Sequence, residues 1–273
     1  MLSLRTAFPK PMTGIIQNIL PKHSLSRIIG IFCKSEIVFV KKFLISIFCL
    51  FYKVDLSEAK NTKDGYKTFN DFFSRELKPG CRPIGPGLCS PCDGLVADYG
   101  EINKNLKIHA KGHCFSIKDL VGADSLDHFS KGSHLTIYLA PSDYHRVHMP
   151  SNGRLIAATY IPGELFSVNP RTVAEVPGLY AKNERLVFDF RTDQGSIIAI
   201  MVGAAIVAGI KPFWRKSALE PRIYKKEKMD FYLTKGDEIG LFEMGSTVIL
   251  LLSNRFNFNL KKNEKVFYGQ SIS

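Results

Sequence analysis

The chain changes texture near residue 54. Before that point large apolar residues crowd between basic ones: Ile28, Ile29, Ile31 and Phe32, then Ile37 to Val40, then Phe43 to Tyr52. This pattern predicts helices. The uncharged apolar run Phe43 to Tyr52 is too short to cross a bilayer as a helix, which takes about 20 residues. A polar linker follows from Asp55 to Lys67. Phe69 to Leu77 then reads as a short helix with an aromatic face, ended by Lys78-Pro79-Gly80. Arg82 to Cys92 is rich in Pro and Gly and reads as extended loop.

From Asp93 onward short apolar runs recur between turn signals. Leu135 to Leu139, Leu186 to Phe190, Ile197 to Val202 and Thr247 to Leu252 read as strands. Ser151-Asn152-Gly153, Thr192 to Gly195 and Lys235-Gly236-Asp237 read as the breaks between them. This spacing argues for a sandwich or barrel and against alternating βα units. The expected class is α+β: N-terminal helices over residues 1–65, then a mainly antiparallel β sandwich or barrel over residues 66–273. Lys216 to Lys228 is polar and charged and is expected to be loop. Near the C-terminus a Gly245-Ser246-Thr247 triplet interrupts a strand just before the apolar run from Val248 to Leu252.

Composition sharpens the first region. The 273 residues are 45% hydrophobic and 23% charged, enough for a real core, and the net charge is +12. Such an excess points to an anionic partner, either nucleic acid or an acidic membrane surface. The first 54 residues carry Arg5, Lys10, Lys22, Arg27, Lys34, Lys41, Lys42 and Lys53 against one acid, Glu36. Helices of this kind suit a membrane interface, with lysines toward anionic head groups; a hairpin packed on the protein's own core is the alternative. Positive charge set among apolar residues, with no recognition motif beside it, argues against nucleic acid. No secretory signal pattern is evident at the N-terminus. Cys89 and Cys92 form one C-x-x-C pair, but no second pair completes a zinc site, so the expectation is reduced thiols and no metal.

Four stretches could carry chemistry. Small residues at the Gly245-Ser246 junction allow a tight backbone, and the Ser246 hydroxyl could attack a substrate or the carbonyl of Gly245 itself. In Asp143 to Pro150, His145 and His148 are candidates for metal ligands lacking a third partner, for acid–base groups, or for structural histidines bonded to backbone. Asp93 precedes Gly94 and is either a turn residue or an acid that orients an imidazole. Phe166 and Val168, within Gly163 to Pro170, either line an apolar pocket or anchor a loop.

Together these stretches resemble the phosphatidylserine decarboxylases, a bacterial family of pyruvoyl-dependent proenzymes. The resemblance rests on Tyr66 to Phe73, Asp93-Gly94, Lys111-Gly112-His113, Asp143 to Pro150, Gly163 to Asn169, Asn183-Glu184-Arg185, Val202-Gly203-Ala204 and Glu238 to Thr247, in the family's order over nearly the whole chain. Met244 stands where leucine is usual, and the segment after Trp214 looks shorter than in some members. The resemblance implies self-cleavage between Gly245 and Ser246 by a triad of Ser246, His148 and Asp93. Residue 246 would become a covalent pyruvoyl group that forms a Schiff base with phosphatidylserine and promotes its decarboxylation. His145 would be the proton donor, and Phe166 and Val168 the substrate pocket. It further implies two chains from one precursor, a homo-oligomer, and a peripheral place on the cytoplasmic face of the bacterial inner membrane. A hydrolase using the same three residues on an external ester is the rival reading, and it requires one unbroken chain.

Overall fold

The computed structural model describes residues 22–110, 113–123, 125–204, 209–219, 223–243 and 246–273. Helices α1 (Lys22–Cys33) and α2 (Val38–Phe51) open the described chain. Both are amphipathic, but α2 divides its apolar residues between two faces. Ile45 and Phe48 point inward and are buried. Phe48 meets Phe69, Phe72 and Phe73 of the short helix α3 (Phe69–Phe73), with ring centroids 5.4, 6.0 and 5.8 Å away in edge-on contacts that favour aromatic pairing. The opposite face leaves Phe39 79% and Leu50 80% exposed, with Phe43 and Ile47 also in solvent. One face of the helix thus packs on the protein's own core, and the other leaves large apolar side chains exposed. Among the described residues no helix is long and apolar enough to cross a membrane.

Helix α3 is too short to persist on its own. Thr68 accepts from the Asp71 amide while Asp71 accepts from the Thr68 amide, a capping box that closes its first turn. Arg82 to Cys92 is extended, as expected, and lies between the C-terminal tail and the rest of the sheet. The Ser90 and Gly269 amides donate to the Gln270 and Ser90 carbonyls, and the Cys89 amide donates to Pro150. Cys89 and Cys92 are free buried thiols, and burial raises the pKa of both.

The remainder is a mixed α+β body dominated by one antiparallel sheet. Its strands, in chain order, are β1 (Gly94–Glu101), β4 (Ser133–Leu139), β6 (Gly153–Ile161), β7 (Arg185–Thr192), β8 (Gly195–Gly203), β10 (Lys225–Leu233), β12 (Ser246–Leu252) and β13 (Lys265–Val266). They are arranged β10-β6-β7-β8-β12-β4-β1-β13. A three-stranded sheet of β5 (Arg146–His148), β11 (Glu238–Phe242) and β9 (Ile210–Pro212) covers one face. The hairpin β2 (Lys107–Ala110) and β3 (His113–Ser116) and helices α4 (Ile117–Val121), α5 (Pro170–Glu175) and α6 (Leu179–Lys182) supply the other cover. The expected loop over Lys216 to Lys228 is corrected at its end. Strand β10 starts at Lys225 and pairs with β6 at the sheet's outer edge, and its first four residues, Lys225 to Lys228, are charged, as suits an edge.

Strand β12 lies near the middle and is buried along its whole length. Alternation sends Val248, Leu250 and Leu252 into the core beneath the small sheet, and Ile249 and Leu251 into the core beneath the helices. A strand covered on both sides needs an unbroken apolar sequence, which Val248 to Leu252 provides. Leu250→Ala is expected to destabilise the protein by about 2–5 kcal/mol through the cavity it leaves. Leu50→Ala, on the open face of α2, should stay within about 0.5 kcal/mol. Urea unfolding of the two variants checks the difference.

Candidate active site

Ser246 is the first residue of β12. It stands opposite Leu139 at the end of β4 and Gly203 at the end of β8, where three central strands terminate together. It is fully buried, and its Oγ has no hydrogen-bond partner among the described residues. Gly245, the other half of the expected cleavage site, lies outside the described residues.

The two histidines come from the turn into β5 and from its last residue. His145 is fully buried. Its Nδ1 donates to the Asp143 carbonyl at 2.9 Å, which fixes the tautomer and leaves the Nε2 lone pair open; Nε2 has no partner. Burial depresses its pKa to about 3, with Arg75 and Lys265 lowering it further and the Asp143 bond opposing. Its ring packs on Phe73 at 4.1 Å, and its carbonyl accepts from the Phe242 amide at the end of β11. The Nδ1 of His148 donates to the Gly236 carbonyl at 2.8 Å, so its Nε2 accepts from the Tyr144 hydroxyl at 3.0 Å. Burial depresses its pKa to about 4. Both rings are therefore neutral at pH 7, and both are bonded to backbone.

Asp93 binds elsewhere. Its carboxylate accepts from Arg82 Nη2 at 2.7 Å and from the Tyr268 amide at 2.9 Å, and Arg82 also bonds Glu58 at 2.8 Å. The link between Asp93 and His148 is Tyr268, whose ring stacks on His148 at 3.9 Å while its amide holds Asp93. The His148 amide donates to Pro91 at 2.7 Å, two residues before Asp93. Among the described residues no hydrogen bond joins Asp93, His148 and Ser246 directly.

Phe166 and Val168 are buried in the core on the helix-covered face. Ser246 shares alternation with Val248 and so faces the other core. Asn183 nonetheless ties Phe166 to this end of the sheet. Its amide group accepts from the Phe166 amide at 3.0 Å and donates to the Phe166 and Gly203 carbonyls, each at 2.8 Å.

Two further groups were not among the candidates, although Glu184 lies within the Asn183-Glu184-Arg185 stretch. Arg75 follows α3 and is 4% exposed. Its Nη2 donates to the Ser142 carbonyl at 2.8 Å, beside the His145 turn, while Nε and Nη1 have no partner. Glu184 is buried beside Gly203 and hydrogen-bonded by the Tyr160 hydroxyl at 3.1 Å; burial raises its pKa to about 7. Both signals are three-dimensional: an isolated Arg or Glu does not reveal its burial.

Comparison with known proteins gives the family. The family model described as phosphatidylserine decarboxylase matches residues 69–273, and a second, described as PSD, matches residues 13–53. The chain is 45% identical to the phosphatidylserine decarboxylase proenzyme of Shewanella amazonensis, covering 87% of this chain and 88% of that protein. It is 44% identical to the proenzyme of Saccharophagus degradans over 94% and 95%. It is 42% identical to that of Alcanivorax borkumensis over 92% and 91%. With a family model spanning most of its length and relatives matched nearly end to end, this chain belongs to the phosphatidylserine decarboxylase family.

Proposed function

We propose that the chain is a proenzyme that cuts itself between Gly245 and Ser246 and then decarboxylates phosphatidylserine to phosphatidylethanolamine with a pyruvoyl group made from residue 246. The carrying observation is the Ser246 hydroxyl, fully buried and without a partner at the head of a central strand. The rival hydrolase needs an external ester to reach residue 246 while it is a serine of the uncut chain, whereas a serine whose target is the preceding carbonyl needs no such route, and the substrate amine has to reach residue 246 only after the cut.

In this reading Ser246 Oγ attacks the Gly245 carbonyl, with His148 taking the proton and Asp93 holding that histidine's surroundings through Tyr268. The neutral state of His148 supports a base role, because its lone pair is free of a proton at pH 7. Ser246 supplies the carbon skeleton of the pyruvoyl group, and the Glu184 side chain lies over the bare Gly203 opposite it. When formed, that group supplies the electron sink for loss of carbon dioxide from a substrate amine. His145 is assigned to the return of a proton: its open Nε2 carries none at rest, so it first takes one from water and then passes it on. The unpartnered donors of Arg75 favour an anionic head group near the same turn. Phe166 and Val168, tied to Gly203 through Asn183, are assigned to the lipid's apolar part.

Residues up to 65 form the membrane-binding part in this reading and residues 66–273 the catalytic part. The exposed Phe39, Phe43 and Leu50 enter the interface of the bacterial inner membrane from the cytoplasmic side, and the basic residues meet its anionic lipids.

Denaturing mass measurement of purified protein is expected to give two chains, the smaller starting at residue 246 with a blocked amino terminus. Ser246→Ala should give one intact chain, and Asp93→Asn or His148→Ala should slow cleavage by about 10²–10⁴-fold. An active wild-type protein that is a single unbroken polypeptide overturns the reading. The triple change Phe39→Ser, Phe43→Ser and Leu50→Ser should weaken sedimentation with anionic vesicles by about tenfold or more per residue removed from the interface. It should leave the cleavage rate unchanged.

A further inference from the structure

Glu184, Gly203 and Ser246 form a row across three neighbouring strands. Ser246 stands opposite Gly203, and the Gly203 amide donates to the Glu184 carbonyl at 2.9 Å, one step beyond the pair Arg185 and Val202. Directly opposed residues of antiparallel strands project to the same face of a sheet. The carboxyl of Glu184 leans into the space that a side chain at Gly203 would fill. A Cβ there would lie 2.9 Å from Glu184 Cγ and 3.1 Å from Oε1. The glycine thus lets a long acidic side chain lie across β8 toward Ser246. On the far side Oε2 is steadied by the Tyr160 hydroxyl at 3.1 Å. The serine attack described above uses neither of these groups.

We propose that Glu184 is the base that converts the Ser246 ester into dehydroalanine, which deepens the self-cleavage reading and rests on it. Once Oγ has displaced the nitrogen of residue 246 from the Gly245 carbonyl, that nitrogen is a free amine and Oγ carries the ester. The Glu184 carboxylate removes the proton on Cα of residue 246. The electron pair of that C–H bond becomes the second bond between Cα and Cβ. The Cβ–Oγ bond breaks, its electrons leave with oxygen, and Gly245 departs as a carboxylate. Glu184 now holds the proton as a neutral acid. It returns that proton to Cβ as the amine lone pair forms a C=N bond, which yields a methyl group. Water then replaces nitrogen, releasing ammonia and leaving the ketone. A group that must first take a proton and then give it back works best with a pKa near the working pH. Burial brings this carboxyl to about 7, with the Tyr160 bond opposing the rise.

Glu184→Gln keeps the size of the side chain and removes its basicity. The variant should still form the ester, so hydroxylamine should sever it between residues 245 and 246 and release a small chain with a free, sequenceable serine terminus. Its own production of the blocked small chain should fall by about 10²-fold or more, and Glu184→Asp should recover part of that loss. A blocked small chain at the wild-type rate, or a folded Glu184→Gln protein with no hydroxylamine-labile bond, overturns the role. If circular dichroism shows that Glu184→Gln does not fold, Tyr160→Phe carries the test, because it leaves the carboxylate but loosens it. It should slow formation of the blocked chain and build up the labile ester, and an unchanged rate overturns the role. A wild-type protein unbroken at residue 246 would instead remove the self-cleavage reading underneath. Normal wild-type cleavage with an unaffected Glu184→Gln removes this step alone.

Discussion

The register of β12 against its two neighbours is the constraint on which the site depends. Ser246 to Leu252 pairs without a break with β4 on one side and β8 on the other. Side chains alternate between two separate cores, so a slip of one residue would send every apolar group to the wrong face. The packing of Val248, Leu250 and Leu252 therefore also sets which way Ser246 points. A buried hydroxyl without a partner costs about 1–3 kcal/mol. Here that cost sits at the end of a strand hydrogen-bonded on both edges and apolar over the rest of its length, where it is readily offset.

A second chain of contacts joins the exposed helices to the same place. Phe48 seats α2 on α3, and Phe73 of α3 carries the His145 ring. Lys34, just past α1, pairs with Glu243 at 3.0 Å, three residues before Ser246. The surface that presents Phe39 and Leu50 to its surroundings is thus braced against the histidine turn and the strand junction, and not hung on a free linker. Any movement of that apolar surface would therefore be felt at the histidine turn and at the start of β12.

Much of this was legible in the sequence, because the signals were local. The runs Leu135 to Leu139 and Thr247 to Leu252 are strands because their apolar length matches burial on two faces. The loop expected up to Lys228 failed at Lys225, because an edge strand needs one partner and no apolar pattern, and periodicity does not detect it. Each of His145 and His148 bonds one ring nitrogen to a backbone carbonyl, which leaves the other nitrogen's role open to chemistry. The sequence could not show that Asp93 would bind Arg82 and reach His148 only through Tyr268, since Tyr268 lies far along the chain from both. Glu184 was visible only as part of a motif. Its meaning comes from Gly203, which is absent as a side chain and informative only once it stands opposite Ser246.

Two buried arginines show how cost is distributed in this protein. Arg185 is 4% exposed, and its Nε, Nη1 and Nη2 donate to the carbonyls of Leu120, Ala181, Asn183 and Asp119. It is a charge enclosed by carbonyl dipoles and so tolerable as a structural element. Arg75 is equally buried, yet it bonds only Ser142 and leaves two nitrogens bare. Folding alone gives no reason to keep such a group, since an apolar side chain of similar volume would usually do as well or better. Arg75 and the open Nε2 of His145 belong to one neighbourhood around the His145 turn, and the open Oγ of Ser246 follows four residues after the strand end that this turn holds. Asn183, in the same core, is bonded at both its oxygen and its nitrogen. Among the described residues Asn70, Thr136 and Trp214 also leave buried polar atoms bare, so a missing bond alone does not mark the site; what sets Ser246 apart is its place at the head of a strand paired on both edges.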